Sequence, residues 1–297
     1  MLKRALLLVN PYARRGGQSA SQVIETLQNL GFELINAYPS QPHLLSEVIR
    51  RYQHQVDMVI VGGGDGTLNA AAEGLVDTQL PFGILPLGTA NDLAHTLGIP
   101  MTLNEACRVI ANGQLQPIDL GWVNGQYFFN VASLGLSIQI TQYLNRQFKR
   151  RWGILAYAIA ALKTVWRIRP FSAEIDIDGK RTQIRTIQIT VGNGHFYGGG
   201  MAVCNQATIN DQRLHLLSFN VRYWWQLIPL IPALRQGRPL TRTGIHVCQC
   251  QEIDLYTRKS YAINTDGEIT THTPAQFRVI PKAVKVFLPQ QPKAYKN

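Results

Sequence analysis

Residues 61–69 read Val61-Gly62-Gly63-Gly64-Asp65-Gly66-Thr67-Leu68-Asn69 and continue the short apolar run 58–61. A run that is apolar on both faces is typical of a buried parallel strand, and apolar residues at helical spacing predict a helix over 68–75. Glycines at such a strand-to-helix turn let the backbone approach a phosphate, whose charge the N–H groups of the helix N-terminus stabilise. The stretch therefore predicts a phosphate site, with a glycine turn that serves only packing as the alternative.

Two better-known phosphate motifs do not match this stretch. No Gly-Lys-Ser or Gly-Lys-Thr follows it, which excludes a P-loop. Thr67 and Asn69 stand where a dinucleotide fingerprint has its third glycine, which excludes that motif as well.

The rest of the first half alternates strands with helices. Apolar β-type runs predict strands over 5–9, 32–37, 58–61 and 82–85, and helical spacing predicts helices over 21–30, 44–53 and 68–75. This βαβαβαβ order predicts a doubly wound parallel sheet. Segments 10–14 and 83–92 also follow strands, so three loops are expected at the carboxyl edge of the sheet, where ligands of open α/β sheets bind.

The second half of the chain has a different pattern. Short alternating segments at 171–177, 184–191 and 245–255 are separated by Gly, Asn and Asp-Gly turns, which predicts a mainly antiparallel β domain. A basic and apolar helix is predicted over 146–167. We therefore expect an α/β nucleotide-binding domain over 1–122 and a β-rich domain over 123–297, consistent with about 150 residues per domain.

Charge separates the two halves as well. The chain has 297 residues and a formal net charge of +11; residues 1–122 hold 7 basic and 10 acidic side chains, whereas residues 123–297 hold 22 and 8. A strongly basic domain is expected to face an anionic partner. Nucleic acid would explain the charge but none of the glycine loops, so we predict no nucleic-acid partner. We expect peripheral contact with an anionic membrane surface, through a segment that includes Lys149, Arg150, Arg151, Arg167 and Arg169.

The sequence gives no sign of export or of a membrane span. Its four cysteines form no C-x-x-C pair, and its N-terminus lacks the long apolar region of a signal peptide. The longest apolar stretch, 152–162, is well short of the roughly 20 residues that span a bilayer. We expect a cytoplasmic protein. The oligomeric state is not fixed by the sequence, which allows a homodimer.

Three segments of the first half together resemble one enzyme family. They are Asn10-Pro11, Gly63-Gly64-Asp65-Gly66-Thr67 and Pro86-Leu87-Gly88-Thr89-Ala90-Asn91-Asp92, and they are similar to the catalytic domain of the diacylglycerol kinase family. The family includes bacterial lipid kinases and sphingosine and ceramide kinases. The resemblance continues in the same order with Gly192-Asn193-Gly194, Tyr197-Gly198-Gly199-Gly200-Met201 and Asp266-Gly267-Glu268, and so covers nearly the whole chain.

The resemblance implies an enzyme that binds ATP and Mg²⁺ between two domains and phosphorylates a lipid hydroxyl, that of diacylglycerol or a related lipid. Asp65 would orient Mg²⁺ through water, because magnesium keeps much of its hydration. Carried over residue by residue, the resemblance implies nucleotide contacts at Asn10, Pro11, Tyr12, Ala13, Arg14, Ser40, Gly63, Gly64, Asp65, Gly66, Thr67, Leu68, Asn69 and Thr89.

The resemblance also places the catalytic base in the Asp266-Gly267-Glu268 turn. We favour Glu268, whose longer side chain reaches further, with Asp266 as its neighbour or as a metal contact. The reverse assignment stays open. A further alternative is that Asp266-Gly267 only shapes a β-turn, as Asp and Gly often do.

One turn departs from the family pattern. The family usually has a Leu-Asp-Asp-Gly-like turn that holds a structural Mg²⁺, whereas this chain has Ile209-Asn210-Asp211-Gln212-Arg213. Asp211 could still bind a cation together with the backbone carbonyls of Thr208 and Arg213, although a hard ion prefers anionic oxygen. The alternative is an ion-free turn capped by Asp211.

Two other functions compete with a lipid kinase. A kinase of a soluble acceptor, such as NAD, would use the same Gly-Gly-Asp-Gly-Thr loop, but it leaves segments 86–92 and 197–201 unexplained. A non-catalytic lipid-binding protein could keep the fold without turnover. The presence of Asp65, Asp266 and Glu268 argues against that alternative.

Overall fold

The computed structural model describes residues 3–13, 16–138, 170–194, 196–197, 201–202, 208–219 and 245–290. Contacts between Cα atoms divide the chain into two compact units, Met1–Leu120 with Pro281–Asn297, and Gly121–Ile280. The helix predicted over 146–167 and the basic side chains named for membrane contact lie outside the described residues. No helix in the part that is described has both the length and the apolarity needed to cross a bilayer.

The first unit contains the predicted parallel sheet. Its strands stand in the order β2-β1-β3-β4, so the order reverses between β1 and β3, whose carboxyl ends border the crevice expected to bind ligands. The strands are β1 (Lys3–Val9), β2 (Phe32–Asn36), β3 (Met58–Gly63) and β4 (Phe82–Pro86). The helices are α1 (Gly16–Asn29), α2 (Leu45–Tyr52), α3 (Asp65–Thr78), α4 (Asp92–Thr96) and α5 (Leu103–Asn112), with a 3-10 turn at Pro42–Leu44.

Burial explains why these apolar runs form the centre of the sheet. Every residue of β3 and β4 is buried, as expected for parallel strands covered on both faces. Helix α1 is longer than predicted, because its first turn, Gly-Gly-Gln-Ser, has no apolar stripe that would mark it as helical. The doubly wound parallel sheet is confirmed.

The C-terminal segment belongs to the first unit, although the sequence analysis assigned it to the second domain. Strand β18 (Ala275–Leu288) ends beside β4, where Val286 pairs in parallel with Phe82. The backbone N–H of Lys282 also donates to Oδ1 of Asp119 at 2.7 Å. Asp119 lies in β5 (Gln114–Val123). These contacts join residues far apart in the sequence, so no local pattern announces them.

The second unit contains two mainly antiparallel sheets around one core. One sheet joins β8 (Phe171–Ile177), β9 (Lys180–Thr186), β15 (Glu252–Thr257) and the start of β18. The other has the order β14-β13-β10-β7-β16-β17, with β7 at Val131–Gly135, β10 at Gln188–Gly192, β13 at Leu214–Phe219, β14 at Ile245–Cys250, β16 at Ala262–Thr265 and β17 at Glu268–His272. Buried side chains from both sheets form a single cluster. Short pairs involve β6 (Gln126–Phe128), which joins β5, and β11 (Phe196–Tyr197), which joins β12 (Met201–Ala202).

Two of the predicted alternating segments are each two strands. Segment 184–191 breaks at Ile187, and segment 245–255 breaks at Gln251. At both places the chain passes from one sheet to the other, and the backbone groups find partners outside the ladder, such as Phe219 O for the N–H of Ile187 at 3.1 Å. Ile187 is itself buried, so the apolar pattern continues across the break and hides it.

Candidate active site

Hydrogen bonds join the three loops that follow β1, β3 and β4. The backbone N–H of Asn10 donates to Gly62 O at 2.8 Å, and its Nδ2 donates to Thr67 Oγ1 at 3.0 Å. On the other side, the N–H of Leu87 donates to Gly63 O at 3.0 Å. The structure therefore brings together the three segments that the sequence placed at one sheet edge, and the glycine loop lies between the other two.

The glycines of this edge also have a packing role. A Cβ added at Gly64 would lie 3.1 Å from the Cα of Gly88, and one added at Gly63 would overlap the side chain of Thr67. The backbones of the two loops thus approach each other as closely as glycine permits. Because the first N–H groups of a helix lack acceptors within it, the start of α3 offers donors at the same place where side chains are excluded. Packing and phosphate binding are compatible uses of one loop.

Asp65 is the first residue of α3 and connects the glycine loop to α4. Its Oδ1 accepts a hydrogen bond from the N–H of Leu93 at 3.2 Å, close to Asn91, whose φ of 53° is left-handed. Among the described residues nothing donates to Oδ2 of Asp65. The carboxylate is therefore held by one oxygen, and the other is available to a hydrated cation, which fits the predicted magnesium role.

The other residues predicted to contact the nucleotide have different environments. Tyr12 is 84% exposed, and its N–H donates to Asn10 Oδ1 in a tight turn. Ser40 and Thr89 are exposed at the carboxyl ends of β2 and β4, whereas the side chain of Leu68 is buried and leaves only its backbone available. Pro11 and Ala13 lie in the loop after β1, while Arg14 lies outside the described residues. Gly66 and Asn69 are partly exposed in the first turns of α3.

Tyr38 is a residue of this edge that the sequence analysis missed. It lies in the loop after β2, and its hydroxyl is buried with no hydrogen-bond partner in the part of the chain that the structure describes. Burial, followed by the neighbouring Tyr12 hydroxyl, raises the pKa of Tyr38 above its ordinary value. A tyrosine in a loop carries no local signal in the sequence, so only the folded arrangement identifies it.

In the second unit, Asp266 and Gly267 form the two-residue turn between β16 and β17. Both residues have positive φ, 48° and 102°, as a tight hairpin turn of this length requires. The Asp266 carboxylate accepts three backbone hydrogen bonds, from the N–H groups of Phe129 at 2.6 Å, Asn130 at 3.0 Å and Val131 at 3.0 Å. It thereby fixes the chain segment that enters β7.

Asn193, from the Gly192-Asn193-Gly194 motif, holds the same segment by donating hydrogen bonds to the carbonyl groups of that segment. Its backbone N–H donates to Asn130 O at 2.8 Å, and its Nδ2 donates to Phe129 O at 3.0 Å. The side chain is almost fully buried. Two motifs that are 73 residues apart in the chain therefore converge on residues 129–131.

Glu268 differs from Asp266 although only Gly267 separates them. It is the first residue of β17, and its side chain is exposed. No described residue hydrogen-bonds to its carboxylate or forms an ion pair with it. Glu268 is therefore the acidic side chain of this turn that is free to meet another molecule.

The turn at 208–213 is held by Asp211. Its Oδ1 accepts from the N–H of Arg213 at 2.9 Å, and its Oδ2 accepts from the N–H of Thr208 at 3.2 Å and lies 2.8 Å from Nε2 of His215. Gln212 has a φ of 58° where the family pattern has glycine. Within the described ranges no group of three or more His, Cys, Asp or Glu side chains could hold a metal.

Comparisons with known proteins agree with the motifs. Residues 4–123 match the model of the diacylglycerol kinase catalytic domain, and residues 130–288 match that of the YegS C-terminal NAD kinase beta sandwich-like domain. A diacylglycerol kinase from Bacillus subtilis (strain 168) is 27% identical over 98% of both chains. A protein from Klebsiella pneumoniae (strain 342) described as "Probable lipid kinase YegS-like" is 34% identical over 80% of both.

Solved structures share the fold. A crystal structure described as a diacylglycerol kinase from Bacillus anthracis (strain Sterne) superposes with a TM-score of 0.75 at 23% identity, covering 96% of this chain and 97% of that one. A second structure from the same organism gives a TM-score of 0.83 at 24% identity with the same coverage.

Proposed function

The chain belongs to the lipid kinase family of the diacylglycerol kinase catalytic domain and the YegS C-terminal domain, and we propose that it phosphorylates the hydroxyl of diacylglycerol or a closely related lipid. Membership in this family makes it an ATP-dependent lipid kinase. The observation that carries the proposal further is the glycine loop after β3, which neighbouring loops fix on both sides, while Oδ2 of Asp65 accepts no hydrogen bond from a described residue.

The first unit would bind the phosphoryl donor. The triphosphate of ATP would lie over residues 63–67, where three of the five residues are glycine and α3 begins. Residues Asn10, Pro11, Tyr12, Ala13, Arg14, Ser40, Leu68, Asn69 and Thr89 would make the remaining contacts. Asp65, with Oδ1 fixed by Leu93, would hold a hydrated Mg²⁺ through Oδ2. When bound, the cation would neutralise charge that develops on the transferring phosphoryl group.

The second unit would supply the base. In the transfer, the bond between the γ-phosphorus and the oxygen that bridges to ADP breaks, and a bond to the acceptor oxygen forms. The acceptor hydroxyl must lose its proton in this step, and a carboxylate within hydrogen-bond reach is a suitable acceptor. We assign this role to Glu268, because its carboxylate is exposed and has no partner among the described residues.

Asp266 would act as a positioning residue. Three backbone N–H groups already occupy both oxygens of its carboxylate, so little capacity is left for a proton or a metal. Its bonds instead fix the turn from which Glu268 projects. This division of roles supports Glu268 over Asp266 and also gives Asp266 the turn-shaping role that the sequence left open.

A product assay with a panel of acceptors tests the proposal. The purified chain is incubated with Mg²⁺ and ATP labelled at the γ-phosphate, together with diacylglycerol, ceramide or sphingosine in mixed micelles, or with NAD in solution. Labelled phosphatidic acid is the expected product. Labelled NADP alone would favour the soluble-acceptor alternative, and lipid binding without any labelled product would favour the non-catalytic one.

Two substitutions in the first unit test the donor site. Asp65→Asn keeps an acceptor for the N–H of Leu93 but removes the charge, so turnover should fall by about 100-fold or more without loss of folding. Glu73→Gln, an exposed change on the same helix, is the matched control and should leave turnover unchanged. Normal turnover in folded Asp65→Asn would contradict the magnesium role.

Gly64→Val should weaken ATP binding, because its Cβ would displace Gly88.

We further propose that the enzyme works in the cytoplasm and contacts anionic membranes through its basic second half. Each basic residue near such a surface contributes on the order of 1 kcal/mol, screened over a Debye length of about 10 Å. Sedimentation with vesicles should therefore increase with anionic lipid and decrease with salt. Indifference to both would contradict an electrostatic contact. Sizing by light scattering would decide whether the homodimer forms.

A further inference from the structure

The Asp211 turn has used most of the capacity that a cation would need. A carboxylate has about four lone-pair positions, and three of them are occupied by Thr208, Arg213 and His215. The carbonyl of Thr208, a predicted metal ligand, also accepts the N–H of Asp211 at 3.2 Å. The residues of this turn therefore do not fit the structural Mg²⁺ that the family pattern implies.

His215 supplies the contact that sets this turn apart from a simple capped turn. It lies in β13 opposite Gly192, its side chain is fully buried, and its Nε2 is 2.8 Å from Asp211 Oδ2. Because a carboxylate oxygen accepts, Nε2 is the nitrogen that carries the hydrogen in this bond. The other ring nitrogen, Nδ1, is buried and has no hydrogen-bond partner among the described residues. A buried imidazole left half satisfied is costly, so loss of its bond to Asp211 would leave both ring nitrogens without a partner among the described residues.

We propose that His215 closes the Asp211 turn from within the protein, in place of a structural cation, so that folding of this turn does not depend on Mg²⁺. The substitutions at 210 and 212 agree with this role. Asn210 removes a second carboxylate, and Gln212 removes the glycine of the family pattern. The imidazole compensates by donating to the carboxylate that remains. The proposal concerns the stability of the second unit and is independent of which lipid is phosphorylated.

Thermal unfolding of the full chain without nucleotide tests the proposal. Unfolding midpoints are compared in a chelator and in about 10 mM MgCl₂, with KCl at equal ionic strength as the salt control, because a ligand that binds only the folded state raises the midpoint. Mg²⁺ should raise the midpoint of the natural chain no more than KCl does. As a positive control, Asn210→Asp combined with Gln212→Gly restores the family pattern and should gain a response specific to Mg²⁺.

A response of the natural chain to Mg²⁺ is assigned with two variants. If Asp211→Asn abolishes it, the turn binds the cation and the proposal is overturned. If Asp65→Asn abolishes it and Asp211→Asn does not, the cation binds at the glycine loop and the proposal holds. Should Asp211→Asn fail to fold, electron paramagnetic resonance counts the Mn²⁺ ions bound to the natural chain and to Asp65→Asn. Any bound ion that Asp65→Asn does not remove overturns the proposal.

The contact between the two side chains has its own test. His215→Leu should lower the unfolding midpoint by several degrees, and Asp211→Asn should do so as well. Because both changes remove the same contact, the double variant should unfold little earlier than the less stable single variant. Additive shifts would show that the two side chains act independently and would overturn the proposal.

Discussion

The second unit contains two Asp-Gly hairpin turns with similar backbones and very different surroundings. Asp178-Gly179 joins β8 to β9 with φ values of 52° and 77°, and Asp266-Gly267 joins β16 to β17 with 48° and 102°. The carboxylate of Asp178 is exposed, and no described residue donates to it. That of Asp266 receives three backbone N–H groups from residues 129–131.

A third turn, Asn124-Gly125, lies between these two extremes. Asn124 also has a positive φ, and its Nδ2 lies within hydrogen-bond distance of His272 O and Pro274 O while its Oδ1 accepts from the N–H of Gln276. The three turns share local chemistry, because Asn and Asp before Gly tolerate positive φ. Their different roles come from the distant backbone that each side chain meets. A turn motif therefore indicates backbone conformation, whereas the partners of its side chain indicate function.

The largest effect is expected at the residue that follows the Asp266 turn. Glu268→Gln removes a carboxylate that can accept a proton but keeps the size of the side chain, so kcat should fall by about 100-fold or more with little change in the affinity for ATP. Steady-state kinetics with the identified acceptor measure both. Glu252→Gln, an exposed glutamate that begins β15 in the same unit, is the matched control and should stay near the natural rate. A natural kcat in folded Glu268→Gln would place the base elsewhere.

The next effect separates the two Asp-Gly turns directly. Asp266→Asn keeps the positive φ, but the amide has one oxygen where the carboxylate has two and cannot accept all three N–H groups. The substitution should therefore lower the free energy of unfolding of the second unit by about 2 kcal/mol. The displaced turn should also lower kcat by about tenfold, since small misplacements of a reacting group are costly. Denaturant unfolding and kinetics are measured together. If kcat vanishes here while Glu268→Gln is nearly normal, Asp266 is the base.

A smaller effect is expected at the Asn124 turn. Asn124→Gly keeps the positive φ but removes the contacts with residues 272–276, so stability should fall by about 1–2 kcal/mol. Urea unfolding measures the change, and kcat should remain unchanged because this turn carries no proposed catalytic side chain. A tenfold loss of kcat would mean that any disturbed hairpin impairs catalysis, which would remove the distinction drawn for Asp266.

The smallest effect is expected at Asp178. Asp178→Asn preserves the turn, and its carboxylate is exposed, so stability should change by no more than about 0.5 kcal/mol and kcat should not change. The same unfolding and kinetic assays apply. A loss comparable to that of Asp266→Asn would show that the two turns are equivalent, contrary to the contacts described above.

The first unit was predictable because its signals are local. Each loop of the phosphate edge directly follows a short buried strand, and parallel strands bring their carboxyl ends to one edge, so the sequence predicted that segments 10–14, 63–69 and 83–92 meet. The hydrogen bonds from Asn10 to Gly62 and Thr67 confirm that the first two segments meet. The bond from the N–H of Leu87 to Gly63 O confirms the same for the third. The buried hydroxyl of Tyr38 at this edge was not predictable, since Tyr38 lies in a loop with no regular residue pattern.

Local patterns of residues were enough to predict the class of this protein: an α/β unit with a glycine loop at the strand-to-helix turn, an antiparallel β unit, and an ordered set of lipid kinase motifs. These are determined locally, because periodicity, glycine and turn residues act over a few neighbouring positions. Three features became visible only in the folded chain: β18 ends in the first unit, Asp266 and Asn193 hold one segment, and His215 contacts Asp211. The physical reason is that a hydrogen bond or a strand pair joins groups within about 3–5 Å in space, whatever their separation along the chain.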